Sequence, residues 1–257
     1  MSTIYPSVTS AYAQSLASTQ SQILVIQTEL NTGKKIISAA DQSTITNLSK
    51  SATAYSSAST SITNAKGVIT SAQKGLGSIL GLLNQMQVIA NQATNPTLSN
   101  ADAIFLNNSF QKLATQIGKI ATTAGVNGSN LLSGTAGLNV ITGIDKTPAS
   151  RTHIQPVNIY GMITIGALGN IKLETLSDAN SAVASIASAI STINNGQVML
   201  QTSAKQLSAK ASAINNITTS SQTQLASLQS LDKPALQSQL QVLNNQLAVY
   251  KLLSKLS

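Results

Sequence analysis

The stretch that decides the fold runs from Leu48 to Ala93 and reads LSKSATAYSSASTSITNAKGVITSAQKGLGSILGLLNQMQVIANQA. Leu48, Tyr55, Ile62, Ile69, Leu76, Leu83 and Ala90 stand seven residues apart. Ala58, Ala65, Ala72, Ile79, Met86 and Ala93 follow three residues after most of them. That is an a/d seam sustained over six heptads, the mark of a long helix packed along one stripe. From about Ser43 to Ala93 such a helix spans roughly 75 Å at 1.5 Å per residue. Gly67, Gly75, Gly77 and Gly81 each weaken it by up to about 1 kcal/mol, so tertiary packing must hold it. Gly75-Leu-Gly77 sits inside the heptads and does not read as a phosphate loop.

Asn95-Pro96-Thr97 breaks the pattern, and Ser99 to Asp102 can cap a new helix. Phe110, Leu113, Ile117 and Ile120 form its stripe, ending near Thr123. Residues 129–176 change character, with Gly and Pro between short β-type runs: Leu138–Thr142, Ile154–Tyr160, Met162–Ile165 and Ile171–Thr175. They predict a small antiparallel patch, with Tyr160-Gly161-Met162 as a hairpin turn and Pro156 at an edge. Helical spacing returns at Ser177, expected as N-cap. Ile186, Ile193, Leu200, Leu207, Ile214 and Leu228 keep the seven-residue step, with a polar slot at Ser221. Ile190, Ala204, Ala211 and Leu225 fill the second seam. The two ends are amphipathic. Ile4, Val8, Tyr12, Leu16, Ile23, Ile26 and Leu30 line one; Leu236, Leu240, Leu243, Leu247 and Tyr250 line the other. Pro234 suits a first helical turn.

The expected fold is therefore mainly α. Two long helices form an antiparallel coiled-coil rod with a small β-hairpin patch, and the terminal helices pair as a coiled coil. Each terminal stripe is too weak to stand alone in water, which predicts ends that are frayed in the monomer and fold on assembly. The domain reading is a terminal unit of 1–42 with 230–257, and a rod of 43–229 whose 124–176 segment faces outward.

Composition narrows the chemistry. Of 257 residues, 9% are charged and 3% aromatic, with no Cys, no Trp and one His. Ser, Thr, Asn and Gln make up roughly 40%, far above usual usage. Without Cys there are no disulfides or thiolate sites. His153 alone cannot supply a two-His metal site, and in its polar loop it reads as a solvated residue. The seven acids, Glu29, Asp41, Asp102, Asp145, Glu174, Asp178 and Asp232, form no close pair. No cofactor, metal site or catalytic residue is expected. The net charge of +8 raises nucleic acid or a membrane surface as partners. The bases are thinly spread, however, with Lys34-Lys35 the densest cluster. No apolar run reaches 18 residues, which predicts no membrane insertion. The start lacks a basic region followed by an apolar run, so no Sec-type signal is expected.

In arrangement the chain resembles bacterial flagellin. The resemblance rests on Leu30-Asn-Thr-Gly-Lys-Lys-Ile36, followed by Ala40-Asp41. It continues in Leu83-Asn-Gln-Met-Gln-Val-Ile-Ala-Asn-Gln-Ala93, in Val126-Asn-Gly128 with Asn130-Leu-Leu132, and in Ile214-Asn-Asn-Ile217. The resemblance implies a non-enzymatic subunit of the flagellar filament, secreted without cleavage by the flagellar export apparatus. It implies as partners copies of itself, an export chaperone, the filament cap and the hook-junction proteins. The last eleven residues also resemble the hook–filament junction relatives, so a junction protein stands as the alternative; an enzyme or nucleic-acid binder is a third reading. Implied assembly residues are Ile4, Val8, Tyr12, Leu16, Ile23, Leu30, Leu236, Leu240, Leu243, Leu247 and Tyr250 at the ends. On the rod they are Gln85, Gln87 and Val88, where many flagellins carry Arg, Arg and Glu. In the family that charged patch supports subunit packing and is read by the innate immune flagellin receptor; its loss implies poor receptor recognition. Thr142, Thr147, Ser150 and Thr152 are candidate O-glycosylation sites on the outer segment.

Overall fold

The structure is a computed structural model that describes residues 5–145, 147–164 and 171–256, with side chains over 10–145, 147–162 and 171–253. In chain order the elements are α1 (Tyr5–Thr32), α2 (Ala39–Ala93), α3 (Asn100–Thr123), β1 (Leu138–Ile141), β2 (Arg151–Ile154), α4 (Ile159–Thr164), α5 (Leu176–Gln229) and α6 (Lys233–Leu256). A 3-10 turn at Pro148–Ser150 precedes β2. Two compact units share the chain: residues 1–52 with 219–257, and residues 53–218.

The second unit is built on the α2 seam. Ile62, Ile69, Leu76, Leu83 and Ala90 are all buried, as are Ala58, Ala65, Ala72, Ile79, Met86 and Ala93. They share one core with Phe110 and Ile117 of α3 and with Ile186, Ile193, Leu200 and Leu207 of α5. At about 1.5–3 kcal/mol per buried Leu, Ile or Phe, this core is the main source of stability. Two helical glycines mark close approaches in it. A Cβ on Gly75 would stand 2.7 Å from Leu132 Cδ1 and 3.1 Å from Ala124 Cβ; one on Gly196 would stand 2.5 Å from Val157 Cγ1.

The caps follow the sequence with one shift. Ser99 accepts from the Asp102 N–H (3.2 Å) and donates to its carboxylate (2.5 Å), closing the start of α3. At α5 the reciprocal pair is Thr175 and Asp178, so the cap is Thr175 and not Ser177. Thr175 precedes the helix and has the hydroxyl in reach; Ser177 already lies inside it.

Beyond α3, Asn127 (φ 52°) and Gly128 (φ 75°) make a two-residue turn whose flanks, Val126 and Ser129, bond each other in both directions. Two successive positive φ values are what Asn-Gly tolerates. Asn130 then serves as a hub. Its Nδ2 donates to the Ala121 and Thr122 carbonyls at the end of α3, and its Oδ1 accepts from the Leu132 and Ser133 amides.

The β patch is smaller than the sequence predicted. β1 and β2 pair antiparallel, Leu138 opposite Ile154 and Ile141 opposite Arg151, and the Ile141 amide donates to Ser61 Oγ on α2 (3.0 Å). The run Ile154–Tyr160 leaves the sheet after Ile154; Val157 and Ile159 instead donate to the Leu131 and Leu132 carbonyls. Tyr160-Gly161-Met162 is no hairpin turn but lies within α4, which the Asn158 Oδ1 caps at the Gly161 amide. Ile165 lies outside the described residues. Ile171–Thr175 is irregular, held by Gln111 Nε2 donating to the Ile171 carbonyl and by the Leu173 amide donating to Asn107 Oδ1. Short apolar runs do not carry their own hydrogen-bond partners, and here α3 and the 130–132 turn supply them.

In the first unit, α1 packs on α6 through Ile23, Ile26 and Leu243, with Leu30, Leu236, Leu240 and Leu247 around them. Asp232 Oδ1 accepts from the Ala235 amide at the head of α6, a cap the sequence reading passed over. Ser221 fills its polar slot on α5 in buried form. Across both units, Ser and Thr hydroxyls on the helices turn back onto the carbonyl four residues earlier; Thr60, Thr63, Thr70, Thr115, Thr192 and Thr202 are examples.

Candidate assembly surfaces

The first surface begins at the turn between α1 and α2. Gly33 takes φ 67° and its amide caps the Glu29 carbonyl, a left-handed helix stop that favours glycine. Glu29 is buried, and its carboxylate accepts from the Ile36 amide at 2.6 Å. A buried carboxylate needs such a donor, and this one fixes the path of Gly33-Lys-Lys-Ile36. The motif Leu30–Ile36 is thus a folded corner.

Of the residues expected to assemble subunits, Ile23, Leu30, Leu236, Leu240, Leu243 and Leu247 meet each other inside the α1–α6 pair. Tyr12, Leu16 and Tyr250 are half-buried. Ile4 lies outside the described residues; Val8 is on α1, its side chain also outside them. What this pair leaves uncovered was not anticipated. Leu24 and Val25 on α1, and Val242, Val249 and Leu252 on α6, are exposed, Leu24 and Leu252 at 64% each. Val242, Asn245, Gln246, Val249 and Tyr250 line a groove of about 330 Å³. Since the inner stripe packs on the partner helix, the outer residues form a second set left exposed among the described residues.

The second surface is the outer side of α2 with the start of α3. Gln85 and Val88 are exposed and Gln87 half-buried. At 100° per residue, Gly67, Gly77, Gly81, Gln85 and Val88 fall within about 80° of arc, opposite the buried seam. Apart from the adjoining turns of its own helix, no described residue places an atom within 4 Å of a Cβ built on Gly67, Gly77 or Gly81. Beyond the helix end, Ile104 (62%) and Phe105 (70%) project from α3. Phe105 borders a cleft of about 450 Å³ lined also by Asn91, Gln92, Asn95, Leu98 and Asp102. The signal for them was available: Ile104-Phe105-Leu106 is a run of three, and only Leu106 is in register with Phe110 and Ile117.

Among the described residues no three His, Asp or Glu gather, and no helix is long and apolar enough to cross a membrane. His153 is on β2, not in a loop, and its Nδ1–H donates to Asn139 Oδ1 across the sheet (2.8 Å). Thr142 and Ser150 are buried, which removes both as accessible glycosylation sites; Thr147 stays exposed.

Heptad-packed long helices in one unit, and in the other a helix pair with exposed apolar residues, are the features of a structural protein. The family profile of the bacterial flagellin N-terminal helical region matches residues 5–137, and the chain belongs to the bacterial flagellins. It is 29% identical over 195 residues to flagellin FljK of Caulobacter vibrioides, covering 74% of this chain and 70% of that one. It is 25% identical over 227 residues to the flagellin of Listeria innocua, covering 81% and 79%. The crystal structure of Bacillus cereus flagellin shares the fold, with a TM-score of 0.51 at 20% identity over 59% of this chain and 86% of that one. The chain is a structural subunit of the flagellar filament; relatives that are themselves flagellins favour this over a junction protein.

Proposed function

We propose that the chain polymerises by covering the uncovered stripes of one copy with those of others, and that this filament lies outside the cell. The exposed apolar residues Leu24, Val242, Val249, Leu252 and Phe105 carry this reading, since solvated singly they contribute nothing and covered they contribute about 25 cal/mol per Å². In it, residues 1–42 with 230–257 form the inner unit. Tyr12, Leu16, Ile23, Leu30, Leu236, Leu240, Leu243, Leu247 and Tyr250 hold its helix pair, and Ile4 and Val8 are assigned to the same assembly role from their spacing in the sequence. Residues 43–229 form the rod, with 124–176 outward and Gln85, Gln87 and Val88 at a lateral contact made without ion pairs. Non-closing contacts between identical copies yield a helical polymer. The export apparatus, its chaperone, the cap and the hook-junction proteins are the further partners that the family supports.

The test is seeded growth. Purified chain mixed with fragments of its own filament should extend them under negative-stain microscopy. Val249→Asp with Leu252→Asp should keep its helical circular dichroism and lose extension. Unchanged growth of that variant refutes the role of the outer stripe.

A further inference from the structure

We infer that the charge of this chain opposes its association with its own copies, so that screening by salt promotes assembly; this rests on the filament reading above. The chain carries 15 basic and 7 acidic side chains. The structure shows where the acids are spent. Asp102, Asp178 and Asp232 accept hydrogen bonds at the starts of α3, α5 and α6, and Asp41 lies in the first turn of α2. Carboxylates are favoured there because helix N-termini carry partial positive charge. Glu29 is buried on the Ile36 amide, and Glu174 faces Lys172 of its own chain at 3.2 Å. Asp145 stands on the exposed loop between β1 and β2.

Beyond their first turns, α2, α3 and α5 therefore carry no acidic residue at all. In residues 53–218 their sides do carry Lys66, Lys74, Lys112, Lys119, Lys205 and Lys210, every one exposed. When the flank of one rod meets the flank of another, lysines meet lysines, amides, hydroxyls and apolar side chains. Even complete pairing of all seven acids would leave eight bases unmatched. The attraction must come from the uncharged part of the surface, such as Val88, Phe105, Val198 and Met199. The repulsion reaches as far as the Debye length, about 30 Å at 0.01 M salt and about 8 Å at 0.15 M.

The experiment is seeded polymerisation of the full chain, read as the critical concentration in about 10 mM and about 150 mM sodium chloride, the range over which screening changes most. A severalfold fall with added salt is expected. The variants Lys205→Gln/Lys210→Gln and Lys112→Gln/Lys119→Gln, checked for wild-type circular dichroism, should polymerise at low salt at a lower critical concentration than wild type. They should also respond less to salt. A critical concentration that rises with salt, or is flat, overturns the inference while leaving the filament reading intact. So does a salt response of undiminished size in both variants, which marks general exclusion of salt from the surface. Absence of polymer at every salt concentration overturns the filament reading and this inference together.

Discussion

Replacing Gly77 and Gly81 by Ala should make the monomer more stable and the polymer harder to form. Both glycines lie in the interior of α2, and a Cβ at either meets no described atom within 4 Å beyond the adjoining turns of its own helix. The substitution therefore adds no clash and removes the entropic penalty of glycine, about 0.8–1 kcal/mol per site in an exposed helix interior. Each site gains only a methyl group, so the two intrinsic gains sum to about 2 kcal/mol. For a chain of this size that raises Tm by about 4–8 °C, at 2–4 °C per kcal/mol. Thermal unfolding of the monomer followed at 222 nm reads the first effect, and seeded extension reads the second. If the open face exists to let a neighbour's backbone approach, two methyl groups there should slow extension at equal monomer concentration. A variant that gains stability and extends seeds as fast as wild type refutes the close-approach reasoning. A variant with no gain in Tm refutes the open-space reading of α2.

Leu76→Ala should lose about 2–5 kcal/mol in urea unfolding, since the side chain is fully buried in the shared core; a loss below about 1 kcal/mol contradicts that packing. Asn130→Ala should cost about 1–3 kcal/mol and speed hydrogen exchange at the Leu132 and Ser133 amides, which lose their acceptor. Unchanged exchange there removes Asn130 as the hub. Monomer carrying Gln85, Gln87 and Val88 in place of Arg, Arg and Glu should activate a flagellin-receptor reporter weakly, and strong activation sinks that expectation. Limited proteolysis of the monomer should trim residues 1–30 first if the α1–α6 pair is marginal before assembly; resistance of that segment overturns the coupling of folding to assembly.

The seams were legible because repetition averages out local ambiguity. No single residue of Ile62, Ile69, Leu76 and Leu83 specifies a helix, but their common step does, and all four are buried. The cap at Ser99 and the first-turn proline at Pro234 were legible for a local reason: each depends on residues only a few positions away, although the Asp232 cap beside Pro234 was missed. The runs Ile154–Tyr160 and Ile171–Thr175 were not legible, because Val157, Ile159, Ile171 and Leu173 find hydrogen-bond partners in Leu131, Leu132, Gln111 and Asn107, residues distant in the chain. The assembly surfaces were legible only in half. Reading every apolar residue as core located the inner stripe of Ile23 and Leu243 but hid Leu24, Val249 and Phe105. Their exposure depends on which face the partner helix takes.

The hydroxyls that turn back onto their own helices have a consequence for dehydration. A free Ser or Thr side chain asks any surface that covers it for an acceptor, and burying it without one costs about 1–3 kcal/mol. Thr60, Thr63 and Thr70 have already given their proton to the carbonyls of Ser56, Ser59 and Lys66. What they turn toward water is a methyl group and spare lone pairs, and lone pairs go unmet at smaller cost than donors. A neighbour can lie against such a face without supplying a matched set of polar groups.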